Sequence, residues 1–196
     1  SLVYSGELET KYRIVLNWAI PENIVDGGKK RSSRLAPYRI ETLVTLRKGA
    51  RWVEFETKIN NNVPNHYLQA AFPTDVDAEF VYAQGQFDVV KRPIAKPDYS
   101  KYDEIPMTEQ PMNSFVDICN ENEGAAILNT VLKAYESDDD YNHTVYLSLL
   151  RCFELRIYVT PEEQNYSRIE NGSQSFGEHT FRYAFMPHKG DWEDAQ

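Results

Sequence analysis

The sequence predicts an all-β fold, a large antiparallel sandwich with little or no helix, and three observations lead there. Apolar and polar residues alternate with a period of two at 38–46, 51–59 and 181–186, as in strands with one buried face. The run 143–153, HTVYLSLLRCF, is nearly continuously apolar, as in a strand buried on both faces. Aromatic residues make up 13% of the chain, and no stretch carries a helical period, so the rings belong to strands.

Each element follows in order. Residues 11–18, KYRIVLNW, form a first strand. The segment 21–37 holds Gly27-Gly28 and the basic cluster Lys29-Lys30-Arg31. It reads as an exposed, mobile loop whose charges are solvated, with an anion site as the alternative. Tyr38, Ile40, Thr42, Val44 and Leu46 give the next strand, and Gly49 turns the chain. From 51 to 59, Val53, Phe55, Thr57 and Ile59 share one face. The run 60–65, NNNVPN, is a turn, because Asn tolerates left-handed backbone. Residues 67–72 resume as a strand, so 51–73 reads as an antiparallel hairpin.

A second hairpin spans 77–83 and 87–91 around Gln84-Gly85-Gln86. Pro93, Pro97, Pro106 and Pro111 then exclude helix and central strand from 92–112, so this stretch wraps across the sandwich. Short strands follow at 114–119, 125–128 and 131–135. ESDDD at 136–140 is a solvated acidic turn without the calcium-loop pattern. In 143–153, Val145, Leu147, Leu149 and Arg151 have the same parity. The first three belong in the core, and Arg151 must emerge at the rim, partly exposed or paired with a local acid. Residues 162–177 are a polar loop. A strand runs over 179–186 until Pro187, and the tail 188–196, polar apart from Trp192, does not read as finishing a core. The total is about ten strands, a sandwich count.

The 196 residues are read as a single sandwich domain or part-domain. A net charge of −9 argues against nucleic acid and anionic membrane. No apolar run has transmembrane length and no signal peptide is visible. Cys119 and Cys152 fall in strands and read as buried free thiols, which points to the cytoplasm. The start at Ser1 reads as that of a processed or excised piece. His66, His143, His179 and His188 lack zinc-ligand spacing, and there is no nucleophile elbow or phosphate-binding glycine loop. No carboxylate pair is identifiable among 30 acids. The aromatics read first as core, with a sugar-handling surface as the alternative.

Five phrases in order resemble a known family: RWVEFETKINNNVPNHYLQAAFPTDV, FDVVKRPI, GAAILNTVLKAYE, LSLLRCF and GEHTFRYAFMPHKGDW. Together, over 38–192, they are similar to the C-terminal β domain of glycoside hydrolase family 38, the α-mannosidases. The resemblance implies part of a galactose-mutarotase-like supersandwich, truncated at both ends. It implies a retaining mannosidase whose aspartate nucleophile and zinc lie in a separate N-terminal catalytic domain, so that this chain holds no catalytic residue and no metal. The implied partners are that catalytic domain and a mannose-containing saccharide, and an oligomer is open. The resemblance also implies that Arg151, in the LLR phrase, helps hold substrate. A structural ion pair is the alternative. Phe87, Asp88, Lys91 and Arg92 border the same cleft on this view, although Asp88 and Arg92 read more simply as a surface ion pair. Two other functions compete: an independent carbohydrate-binding module, which needs a row of exposed rings, and a structural interaction domain. A domain cut from its catalytic partner shows an exposed apolar patch instead.

Overall fold

The computed structural model describes residues 1–96, 98–101, 107–153 and 171–195. Among them fifteen strands form, with only single 3₁₀ turns at Asp26–Gly28 and Asn171–Gln174. The first half contributes β1 (Leu2–Ser5), β2 (Glu9–Pro21), β3 (Ile24–Val25), β4 (Lys30–Arg31), β5 (Leu35–Arg47), β6 (Val53–Asn61), β7 (Tyr67–Pro73), β8 (Phe80–Gln84) and β9 (Val89–Pro93). The second half contributes β10 (Gln110–Pro111), β11 (Phe115–Cys119), β12 (Glu123–Asn129), β13 (Ala134–Ser137), β14 (Thr144–Arg151) and β15 (Gly177–Lys189).

A nine-stranded antiparallel sheet runs β1-β2-β5-β6-β15-β12-β11-β8-β9, and a four-stranded one runs β10-β13-β14-β7. The strand pair β3-β4 makes a small hairpin of its own. The core lies between the two larger sheets. Ile40, Ile59, Phe181, Tyr183, Ile127, Val116 and Val81 come from the large sheet, and Phe72, Tyr135, Val145 and Leu147 from the small one. Among the described residues, several polar side chains inside are hydrogen-bonded to one another. Thr42 and Thr57 share a hydrogen bond of 2.8 Å, and Thr57 shares another of 2.8 Å with the Tyr183 hydroxyl. Burial raises the Tyr183 phenol above its ordinary value.

The hairpin expected over 51–73 does not form. Strand β6 already has β5 on one side and β15 on the other, so it offers β7 no edge. The chain crosses to the small sheet, where β7 pairs with β14. The crossover is locked by Asn61, which is almost fully buried. Its Nδ2 donates to the Gln174 and Ser175 carbonyls at 2.9 and 3.0 Å, and its Oδ1 accepts from Val63 N. Val63, 1% exposed, plugs the space between the sheets. The 131–135 stretch behaves similarly: its strand is shifted to β13, and it joins the small sheet while β12 stays in the large one.

Two endings also differ from expectation. Strand β15 runs through Pro187 to Lys189. Pairing with β6 ends at Phe185, so beyond it only β12 flanks the strand, and Pro187 sits on a local edge where its missing N–H costs little. The tail then folds back over the outer face of the large sheet. His188 Nε2 lies 2.8 Å from Asp117 Oδ2. The Trp192 ring packs near Tyr82 and Phe115, and Ala195 is buried with Ala126 and Met186. The part of 162–177 before Asn171 lies outside the described residues.

The small sheet leaves part of the large one uncovered. By register, Trp18 pairs with Tyr38, Leu16 with Ile40, Ile14 with Thr42 and Tyr12 with Val44. These side chains therefore continue the core face. Tyr38 and Ile40 are buried, but Tyr12, Ile14, Leu16 and Trp18 remain 51%, 44%, 38% and 47% exposed. The opposite face of the large sheet carries ion pairs, Lys11–Glu9, Arg13–Glu41 and Arg39–Glu41 on β2 and β5, and Arg47–Glu54 and Arg182–Glu56 reaching β6 and β15. One face is built for water and the other is not.

Candidate functional site

The site lies at one rim of the small sheet, where β14 ends beside the start of β7. Strand β14 is interior, between β13 and β7, and Val145, Leu147 and Leu149 are buried as expected. Arg151 does not end their face. The register shifts between Ser148 and Leu150: Ser148 faces Gln69, Leu150 faces Leu68, and Arg151 faces Tyr67. This bulge inserts one residue and reverses the parity beyond it. Arg151 therefore projects from the outer face together with Ser148 and Tyr67.

There it meets Glu109. Arg151 Nη1 lies 2.8 Å from Glu109 Oε2, with the acid side chain 9% and the arginine side chain 48% exposed. Glu109 Oε1 accepts from the Tyr67 hydroxyl at 2.7 Å and from Ser148 Oγ at 2.6 Å. Gln69 Nε2 donates to the Tyr67 oxygen at 3.0 Å. Three donors thus hold one buried carboxylate, the arrangement that makes a buried ion pair tolerable. Burial above all pushes the Tyr67 phenol up to about 12, so it stays protonated and keeps donating. The Arg151 guanidinium also lies 6.0 Å from the Tyr67 ring and 5.6 Å from the Phe153 ring. The guanidinium has five N–H donors. Glu109 is its only acid among the described residues, which leaves donors for a ligand.

The space in front of Arg151 is a cavity of about 790 Å³, bordered by the β3-β4 hairpin with Arg31, by His66 and Tyr67, by Met107 and Glu109, and by Phe153. Burial chiefly lowers the His66 pKa, and the Arg31 charge adds to it. His66 Nε2 is 3.1 Å from the Tyr38 hydroxyl. Burial pushes the Cys152 thiol up to about 11, which keeps it protonated near neutral pH. The cavity offers charge-assisted hydrogen bonds and ring faces.

The FDVVKRPI phrase contributes less. Asp88 Oδ1 accepts from Val89 N at 2.7 Å, and Arg92 Nη1 donates to the Tyr135 hydroxyl at 3.2 Å. The surface ion pair expected between Asp88 and Arg92 is therefore absent: β9 turns the arginine inward onto Tyr135. Arg92 lines a smaller neighbouring cavity of about 220 Å³, which shares Met107 and Thr108 with the first. Lys91 lies over the Phe80 ring at 4.0 Å, and Phe87 is 98% exposed at a hairpin tip.

Glu109 and Tyr67 went unnoticed in the sequence. Glu109 sits in the Pro-rich stretch, which has no period to place it, and Tyr67 reads as an ordinary strand aromatic. No three His, Cys, Asp or Glu side chains among the described residues could share a metal ion, so the described residues do not fit a zinc site.

Comparison with known proteins agrees with this architecture. The profile described as "Glycosyl hydrolases family 38 C-terminal domain" matches residues 3–154. A putative mannosylglycerate hydrolase of Halalkalibacterium halodurans is 27% identical over 170 residues, covering 85% of this chain and 17% of that protein. Human alpha-mannosidase 2C1 is 27% identical over 157 residues, covering 80% of this chain and 13% of that protein. A crystal structure of a glycosyl hydrolase family 38 protein from Enterococcus faecalis superposes with a TM-score of 0.83 at 25% identity, covering 99% of this chain and 23% of that one. An alpha-mannosidase from Enterococcus faecalis V583 gives 0.81 at 26% identity, covering 99% and 22%. The chain thus spans less than a quarter of the length of each of these relatives, and the matched segment, with the superpositions beside it, shows that it belongs to the glycosyl hydrolase family 38 C-terminal domains.

Proposed function

We propose that this chain is the non-catalytic C-terminal β domain of a retaining α-mannosidase, packed against the enzyme's catalytic domain and completing its substrate cleft. The observation that carries the reading is the uncovered core face at Tyr12, Ile14, Leu16 and Trp18. A contiguous apolar sheet face backed by an ionic one is the mark of a severed interface. An independent sugar-binding module is less favoured, because aliphatic Ile14 and Leu16 separate the rings of Tyr12 and Trp18. The nucleophile and the zinc belong, on this reading, to the catalytic domain.

The substrate is a mannose-containing saccharide, as the names of the relatives suggest, and Arg151 contributes hydrogen bonds to its hydroxyls or to a carboxylate of the cleft. Glu109, Tyr67 and Ser148 hold the guanidinium in place for this task. Both cysteines are free and buried, which supports a reducing, cytoplasmic compartment. No helix among the described residues is long and apolar enough to cross a membrane.

The test is kinetic. The intact protein should hydrolyse an aryl α-mannoside, and residues 1–196 alone should not, with or without added zinc. In the intact protein Arg151→Ala should lower kcat/KM by roughly 10- to 100-fold, the loss of one charge-assisted contact. Turnover by residues 1–196 alone, abolished by a point change within them, would put the active site in this chain and overturn the reading.

A further inference from the structure

We propose that a groove on the outer, ion-paired face of the large sheet is a second binding site, taking a ring of a neutral saccharide. The inference goes beyond the enzyme reading and does not depend on Arg151 or its cavity.

The sequence builds the groove by setting short side chains into one row. By register, Lys11, Thr45, Glu54, Ala184 and Leu128 stand side by side across β2, β5, β6, β15 and β12. Thr45 and Ala184 are short and flank Glu54, so the surface dips there. Two residues along the strands, Arg47 and Trp52 stand on the side of the β5-β6 turn, and Glu56 and Arg182 on the other. The space is about 510 Å³, within the range of small-ligand sites. Every residue that lines it is described. Its paired charges belong in water, so the groove stays open when the bare face on the other side of the sheet is covered.

Three features point to an uncharged sugar. First, the charges that line the groove are matched: Lys11 with Glu9 at 2.6 Å, Arg47 with Glu54 and Glu9, and Arg182 with Glu56 at 2.8 Å. An ionic ligand would have to break such pairs. Sugar hydroxyls can instead bridge them, donating to the carboxylate and accepting from the guanidinium. Second, the Trp52 indole lines the groove, 39% exposed, with Nε1 donating to Glu54 Oε1 at 3.4 Å. A ring held in this way offers an apolar face to the C–H side of a pyranose. Third, Thr45 lines the groove and is only 6% exposed, yet among the described residues its hydroxyl has no hydrogen-bond partner. A ligand hydroxyl reaching the floor supplies one.

Affinity electrophoresis of the intact protein, in gels containing mannan, dextran or starch, tests this. At least one of these neutral polysaccharides should retard the protein. Trp52→Ala should weaken that binding by roughly 5-fold or more, and Thr45→Val, which removes the hydroxyl at constant shape, by roughly 3-fold or more. Thermal melting shows that each variant folds, and kcat/KM on an aryl α-mannoside should stay at the wild-type value in both. Retardation of the wild type should also persist as salt rises from ~50 to ~500 mM, a reading that needs no variant. No retardation by any of the three, retardation that salt abolishes, or retardation unchanged in folded Trp52→Ala and Thr45→Val would overturn the site. Loss of aryl mannoside hydrolysis in step with loss of retardation would place both residues in the catalytic cleft and overturn it as well. Failure of the wild-type intact protein to hydrolyse any α-mannoside would sink the enzyme reading alone.

Discussion

At the scale of single residues, Asn61 shows how a short polar side chain fixes a topology. Its amide saturates two carbonyls and one N–H of the crossover between sheets. Asn61→Ala should cost about 2–3 kcal/mol, because buried backbone groups lose partners that water replaces poorly. A urea denaturation midpoint shifted at constant slope measures this. The two thiols make a different prediction. Burial pushes Cys119 up to about 12 and Cys152 up to about 11, against an ordinary value near 9. The native state therefore keeps protons that the unfolded chain releases. The corresponding stability is present below pH 9 and is lost as pH climbs through the raised values. Native protein at pH 8 should resist a thiol-specific disulfide reagent and react at two sites once unfolded. Rapid labelling of the folded protein would contradict the burial of both.

At the scale of elements, the close packing of β11, β12 and β15 makes Gly124 obligatory. A Cβ there would sit 2.3 Å from the His188 ring and 2.6 Å from Cys119 Cβ. Gly124→Ala should destabilise by about 1–3 kcal/mol through overpacking, seen as a lower melting temperature, and it should loosen the His188–Asp117 pair that ties the tail to the sheet. Elements also divide what the sequence reveals from what it hides. Alternation at 53–59 placed Phe55, Thr57 and Ile59 on the core face correctly, because a period of two survives whatever the strand's partners are. It could not name those partners, so β6 and β7 read as a hairpin although they lie in different sheets. The parity of 145–151 put Arg151 on the core face. One bulged residue near Leu149 reversed it, and a bulge leaves no mark on hydrophobic alternation. The site was legible only as an arginine needing a partner. Its partner Glu109 comes from a distant loop, a relation fixed by tertiary packing alone.

At the scale of the whole molecule, the two faces of β1, β2 and β5 are the dominant feature. Ion pairs on one side are worth little individually but keep that side in water. The other side leaves the Tyr12, Ile14, Leu16 and Trp18 side chains partly in solvent, each giving up about 25 cal/mol per Å² of apolar area that could be buried. The central claim is that this face is covered in the intact protein by polypeptide outside residues 1–196. Hydroxyl-radical footprinting of the intact protein with mass-spectrometric readout tests it most directly. Phe87 and Tyr141, 98% and 97% exposed, serve as internal references on hairpin and turn tips. The account predicts that Trp18 and Tyr12 oxidise at least 10-fold more slowly than their exposure in this chain implies relative to those references. Oxidation of Trp18 and Tyr12 at the rate of half-exposed rings would contradict it and leave the face open to solvent.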